Sequence, residues 1–225
     1  MNNHLTINGA HTFGSLIKAY GHARDIDGVW RCWKEMRSRN IRPTSITLGC
    51  MVEAVVNNGD VEGAYDLIHQ MSMDEQCCDC LNAIIYCSVL KGFARLKKLD
   101  RVWQIYQEML DRSMDFSIIT YNTLVDACAR SGRMDQVPRL MEDMKRQNIK
   151  PNVITYSAML KGHCQKGDVQ LGFQILDQMR RDTNLKPDEI MYNSLLDGCA
   201  QSTLVDDALR RVGLPVDRDG DAAHH

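Results

Sequence analysis

The chain has 225 residues, 44% of them hydrophobic, with 27 basic and 29 acidic side chains and a formal net charge of −2. It lacks the basic excess that usually marks a nucleic-acid domain, and no apolar run approaches the roughly 18 residues of a membrane span. Only five prolines occur and no Gly-, Pro- or Ser-rich linker divides it, so one continuous, well-buried array is possible. The opening Met1-Asn2-Asn3-His4-Leu5-Thr6 has neither the charged and apolar regions of a signal peptide nor the arginines of a transit peptide. That favours a processed form or a piece of a longer chain.

Taken in chain order, residues 1–9 are a lead-in. Units then open at Ala10, Ser45, Ala83, Ile118, Val153 and Glu189, giving lengths of 35, 38, 35, 35 and 36. The spans are 10–44, 45–82, 83–117, 118–152, 153–188 and a partial 189–212, followed by a polar tail over 213–225. Thr120-Tyr121-Asn122-Thr123-Leu124 recurs as Thr155-Tyr156-Ser157-Ala158-Met159, and Met36, Met71, Met109, Met144 and Met179 hold one position in five successive units. Such a period marks a stack of supersecondary units, each needing its neighbours to bury its apolar face.

Each unit reads as two amphipathic helices. In the fourth, Ile119, Leu124, Val125 and Cys128 recur at helical spacing, the Arg130-Ser131-Gly132-Arg133 turn follows, and Met134, Val137, Leu140, Met141 and Met144 form the second stripe. Pro138 falls near the start of that second helix, where a missing N–H matters least. The seventeenth residue is apolar throughout (Ile26, Val61, Leu99, Met134, Val169, Val205). Asp27, Glu62, Asp100, Asp135, Gln170 and Asp206 come next, and carboxylates there suit the positive end of a helix dipole. The tenth position is small (Ala19, Ala54, Gly92, Ala127, Gly162, Gly198), which predicts close helix approach. The methionine column is expected in the core, where Met fills irregular gaps.

Cys128 and Cys199 fall at core positions, with Cys164 one residue along. The Cys77-Cys78-Asp79-Cys80 cluster has zinc-compatible spacing, but a structural site needs four ligands and no second pair follows. Cys87 is the nearest further thiol, so a reduced loop is the favoured reading. The tail Asp217-Arg218-Asp219-Gly220-Asp221-Ala222-Ala223-His224-His225 reads as disordered, its histidines a tag remnant or exposed end rather than a metal site.

The Trp, Leu-Gly, Tyr pattern of tetratricopeptide repeats is missing. Ile119-Thr120-Tyr121-Asn122-Thr123-Leu124-Val125, Glu142-Asp143-Met144 and Lys150-Pro151-Asn152, with Ile190-Met191-Tyr192-Asn193-Ser194-Leu195-Leu196, instead resemble the ordinary P-type pentatricopeptide repeat over residues 10 to about 212. The resemblance implies an all-α, right-handed superhelical solenoid of helix-turn-helix repeats. It also implies sequence-selective binding of single-stranded RNA, one base per repeat, in mitochondria or plastids, with no cofactor, metal, membrane or small-molecule substrate.

In the family the fifth and last residues of a repeat address the base edge, the second residues sandwich the base, and a basic thirteenth residue holds phosphate. Carried over, Asn122 with Asn152 favours a pyrimidine, Ser157 with Asp188 leans to G, and Asn193 is again pyrimidine-like with its partner beyond the partial repeat. Cys87 with Ser117 is a weak readout. The sandwiching residues are Ile46, Ile84, Ile119, Ile154 and Ile190, with His11 in the first repeat, and the phosphate residues are Arg95 and Arg130. Several features depart from the pattern. Gly14 and Gly49 hold the fifth position of the first two repeats, Phe13 and Leu48 replace the usual Tyr, and the second repeat carries an insertion. A protein-interaction scaffold docking through the first two repeats, or a structural subunit of a larger organelle complex, therefore stays open as the alternative. An enzyme does not, because the zinc-deaminase signature is absent and no segment is long enough for a nuclease.

Overall fold

Short polar side chains placed just ahead of apolar runs start most of the helices. Thr44, Asn82 and Asn152 each accept the backbone N–H three residues on, at 3.1–3.2 Å. Asp25 and Asp60 do the same for Gly28 and Gly63, at 2.8 and 2.9 Å. Each cap satisfies one of the donors that a helix leaves without an internal partner, and is worth about 1 kcal/mol.

The computed structural model describes residues 9–75, 77–182 and 184–201. Most of the lead-in, Val205, Asp206, the end of the sixth repeat and the tail lie outside the described residues. Within them are eleven α-helices and no strand. These are α1 (Ala10–His22), α2 (Ile26–Ser38), α3 (Ser45–Asn57), α4 (Val61–Met73), α5 (Ala83–Arg95), α6 (Leu99–Asp111), α7 (Ile118–Arg130), α8 (Val137–Arg146), α9 (Val153–Gln165), α10 (Val169–Asp182) and α11 (Glu189–Gln201). Two single 3₁₀ turns lie at Cys78–Cys80 and Met134–Gln136. The second of these corrects the expected continuous helix from Met134. Pro138 sits in the first turn of α8, where its missing N–H is harmless, and the helix proper begins only at Val137.

The chain divides into two compact units, one up to Thr123 and one from Leu124. In the first, α1 packs on α3 and α3 on α5, while α2, α4 and α6 each pair with the helix before them. In the second, α9 packs on α10 and α11, around Leu160, Phe173, Met179, Met191 and Leu195, all 0–1% exposed. All five methionines of the column are buried, as are Cys128, Cys164 and Cys199.

Small residues set the helix spacing. A Cβ added at Gly92 would lie 3.0 Å from Val56 Cγ1 and 2.8 Å from Val61 Cγ1. One at Gly198 would lie 3.0 Å from Cys164 Cβ and 3.2 Å from Val169 Cγ2. The tenth residue thus meets the twelfth and seventeenth residues of the preceding repeat. Ala19 departs from this expectation and is exposed. It belongs to the first described helix, and the close approach there is at Gly21, where an added Cβ would lie 2.8 Å from that of Ala54.

The turn between paired helices passes through the left-handed region at one fixed place. Gly59, Gly132 and Gly167 hold it at φ 96°, 67° and 88°, whereas Arg24 and Lys97 hold it at 58° and 56°. An L side chain there costs about 1–2 kcal/mol, and glycine's greater unfolded-state freedom offsets roughly half of the relief. Lys97→Gly should therefore raise stability by about 0.5–1 kcal/mol, or roughly 2 °C in a thermal melt. Leu96→Gly, at φ −77°, should lower it. A rise for both, or for neither, would remove strain as the explanation.

Candidate functional site

Large apolar side chains seldom sit exposed at one repeating place by accident. The second residue of α3, α5, α7, α9 and α11 is Ile46, Ile84, Ile119, Ile154 and Ile190, with exposures of 67, 77, 56, 63 and 61%. The third residues Thr47, Ile85, Thr120, Thr155 and Met191 are at most 1% exposed. Each helix therefore turns its third residue inward and leaves the isoleucine on an open flank. This separates Ile119 from the core stripe of the fourth repeat, since Leu124, Val125 and Cys128 are fully buried. In the first repeat His11 is likewise exposed.

Asn152 and Asp188, expected to read bases from the end of their repeats, have a second task that the sequence reading missed, shared with Thr44 and Asn82 at the same place. Thr44, Asn82, Asn152 and Asp188 all cap the next helix; Asp188 Oδ1 accepts the Met191 N–H at 2.9 Å. Asn152 is the fullest case. Its Oδ1 accepts both the N–H and the hydroxyl of Thr155 at 3.1 Å, and its own N–H donates to Thr155 Oγ1 at 3.1 Å. The signal was present as the spacing of Thr44 to Thr47, Ser117 to Thr120 and Asn152 to Thr155, a capping-box arrangement with Thr in place of Glu.

A concavity lies in the first compact unit, a cleft of about 620 Å³ lined by Ile84, Cys87, Lys91, Ser117, Ile119 and Thr120 among others. It brings together the four residues expected to read or sandwich the base of the third repeat, Ile84, Cys87, Ser117 and Ile119, but not Arg95, expected to hold its phosphate. Cys87 Sγ lies 3.2 Å from Thr120 Oγ1. Burial pushes the Cys87 thiol above its usual range, and the hydrogen bond with Thr120 opposes that shift. Lys91 and Arg95 are four residues apart on α5, so both charges lie on one helix face. Arg95 is exposed and pairs with no carboxylate among the described residues.

Arg130, also expected to hold phosphate, is already engaged. Its Nε donates to Asp126 Oδ2 at 2.6 Å, one helical turn back. Such exposed pairs are weak, so the pair lowers the local positive charge more than it locks the side chain. Asn122 and Ser157 are half-buried, and Asn193 is exposed. Gly14 is buried, while a Cβ at Gly49 would meet Ile85 Cγ1 at 3.9 Å, an ordinary contact. The insertion in the second repeat folds back on what precedes it. Arg37 bonds Asp74 at 2.7 Å and Cys77 Sγ at 3.2 Å, and Cys80 Sγ donates to the Pro43 carbonyl at 3.1 Å. Cys77 and Cys80 are buried free thiols, and no group of three or more His, Cys, Asp or Glu side chains that could hold a metal occurs among the described residues. No described helix is long and apolar enough to cross a membrane.

Tandem two-helix units, small residues at the helix contacts and an exposed isoleucine near the start of successive units define a helical-repeat scaffold. The sequence pattern of the PPR repeat family matches residues 8–57, 81–130, 116–165 and 152–201, and that of the single PPR repeat matches 46–75. The chain belongs to this family. It is 26% identical over 204 residues to the pentatricopeptide repeat-containing protein At3g09650, chloroplastic, of Arabidopsis thaliana, a match covering 89% of this chain and 26% of that protein. The crystal structure of the pentatricopeptide repeat protein PPR10 from maize superposes with a TM-score of 0.76 at 17% identity, over 94% of this chain and 30% of the other. PPR10 in complex with an 18-nt psaJ RNA element superposes at 0.57 and 19% identity, over 93% and 36%. The fold is thus the all-α repeat fold of PPR10, and the chain spans about a quarter of the chloroplastic relative.

Proposed function

We propose that this chain is the single-stranded RNA-binding segment of an organelle protein acting in RNA processing, stability or translation, and that it performs no chemistry itself. The observation that carries the reading is the recurrence of exposed isoleucines at the second residue of five helices, four of them, Ile84, Ile119, Ile154 and Ile190, close in sequence to polar residues able to address a base edge. Unstacked bases are recognised in this way, by packing on their faces and hydrogen bonds to their edges. On this reading Ile84 and Ile119 flank a base whose edge meets Cys87 and Ser117, and Ile154 and Ile190 flank one addressed by Ser157 and Asp188. Asn122, Asn152 and Asn193 address pyrimidines, and Arg95, with Arg130 less strongly, neutralises phosphate. The RNA bound by PPR10 in its complex supports the ligand class, and the chloroplastic relative supports a mitochondrial or plastid setting.

The side-chain-free Gly14 and Gly49 favour a second reading for the first two repeats, in which they dock a protein partner. Selection of bound RNA from a random pool by the purified chain separates the two. Affinity should fall with salt, with a slope of about −0.7 per neutralised phosphate on a single strand. Arg95→Ala should weaken all sequences about equally and flatten the slope by roughly one contact. RNA affinity undetectable even at low salt would leave the protein scaffold as the function.

A further inference from the structure

Thr120 is 1% exposed, yet its hydroxyl does more than fill space. Oγ1 stands 3.2 Å from Cys87 Sγ and 3.5 Å from Ser117 Oγ, and accepts the Ser117 N–H at 3.4 Å. These are the two residues expected to address a base in the third repeat, and Thr120 borders the same cleft. A thiol and a hydroxyl can each donate or accept, so alone they present no fixed pattern to a base edge. A buried hydroxyl bonded to both restricts which proton points where, as in any connected polar network. Thr155 stands in the same relation to Asn152: with its N–H and O–H both directed at Oδ1, it fixes which end of the amide is the oxygen. Ile85 and Met191, at the same place in other helices, offer Asn82 and Asp188 a backbone N–H but carry no hydroxyl.

We infer that Thr120 is a positioning residue of base selection: through its hydroxyl it couples Cys87 to Ser117 and fixes the hydrogen-bonding pattern that the third repeat presents. Thr155 does the same for the Asn152 side chain. The inference rests on the RNA-binding reading above and adds to it a third selectivity-determining position where that residue is Thr120 or Thr155, one that need not touch the RNA.

The test is selection from a random single-stranded RNA pool by the unaltered chain and by Thr120→Val, Thr120→Ser and Thr155→Val, with a thermal melt of each. Thr120→Val keeps the volume and removes the hydroxyl. Its enriched motif should lose discrimination about fivefold at one nucleotide, while neighbouring positions keep theirs. Thr120→Ser should restore the preference. Thr155→Val should flatten a different nucleotide, adjacent to the first. A Thr120→Val motif identical to that of the unaltered chain, or one weakened evenly at every position alongside a lower Tm, would reduce Thr120 to a structural hydroxyl and overturn the inference while leaving RNA binding intact. Failure of the unaltered chain to bind or enrich any RNA would instead overturn the functional reading, and this inference with it.

Discussion

Replacing Asp188 with asparagine is expected to move the preference of the fifth repeat from G to A without changing the stability of the fold. The two effects separate because, on the proposed reading, Asp188 does two things with one side chain. Its Oδ1 caps α11 through the Met191 N–H at 2.9 Å, and asparagine caps a helix about as well as aspartate. What changes is the pattern offered to a base. An ionised carboxylate only accepts, whereas an amide also donates. The edge of G presents N1–H and an amino group, both donors, and so suits a carboxylate. The N1 of A is an acceptor and suits the amide. One matched contact is worth roughly 1–3 kcal/mol, about tenfold or more in preference. Asp188→Ala should lose both functions, costing about 1 kcal/mol of stability as well as the discrimination. The measurement is a competition among RNAs differing at a single nucleotide. An unaltered ranking of G over A in Asp188→Asn, with affinity retained, would mean that this side chain caps but does not read.

That double role also shows what could be read in the sequence. Ala10, Ser45, Ala83, Ile118, Val153 and Glu189, where the repeat frame opens, are the first residues of α1, α3, α5, α7, α9 and α11. A recurring apolar pattern under constant spacing locates elements well, because every repeat must offer its neighbour the same packing surface. The small tenth position was legible for the same reason, except at Ala19, which belongs to the first described helix. Capping was written just as plainly, in spacings such as Asn152 to Thr155, but is easily overlooked once the same residues are taken for ligands of a base.

Other features depend on contacts that spacing does not encode. Ile119 shares the spacing of Leu124, Val125 and Cys128 closely enough to pass for core; only the buried Thr120 and Tyr121 beside it show that the helix turns it outward. The thiol of Cys87 and the hydroxyl of Thr120 meet across 33 residues, and the Arg37 clasp on Asp74 and Cys77 spans 37 and 40. No local pattern announces either. The Asp126–Arg130 pair was legible as opposite charges four residues apart, and it changes the electrostatics of a position otherwise assigned wholly to phosphate.

The packing of the second compact unit is where a single substitution should do most harm to the fold. Gly162 is buried, and a Cβ placed there would lie 2.9 Å from Ala129 Cβ and 3.0 Å from Met134 Cε, with the Met134 sulfur closer still. The methionine can yield by changing rotamer. The alanine methyl sits directly on its helix and cannot. Gly162→Leu must therefore push α9 away from Ala129 on α7, and overpacking of this kind costs about 1–3 kcal/mol. Lys161, one residue earlier, is exposed, so Lys161→Leu should stay within roughly 0.5 kcal/mol of the unaltered chain. At about 2–4 °C per kcal/mol for a chain of this size, thermal melts will resolve the two. Adding Met134→Ala to Gly162→Leu should recover part of the loss, a coupling expected only between residues in contact. The functional consequence follows from where α9 places its ends. It carries Ile154 and Ser157 on its first turns, so moving the helix should also blunt base preference in that repeat, whereas Lys161→Leu should not. Equal melting temperatures for Gly162→Leu and Lys161→Leu would show that the tenth position does not set the spacing between successive repeats.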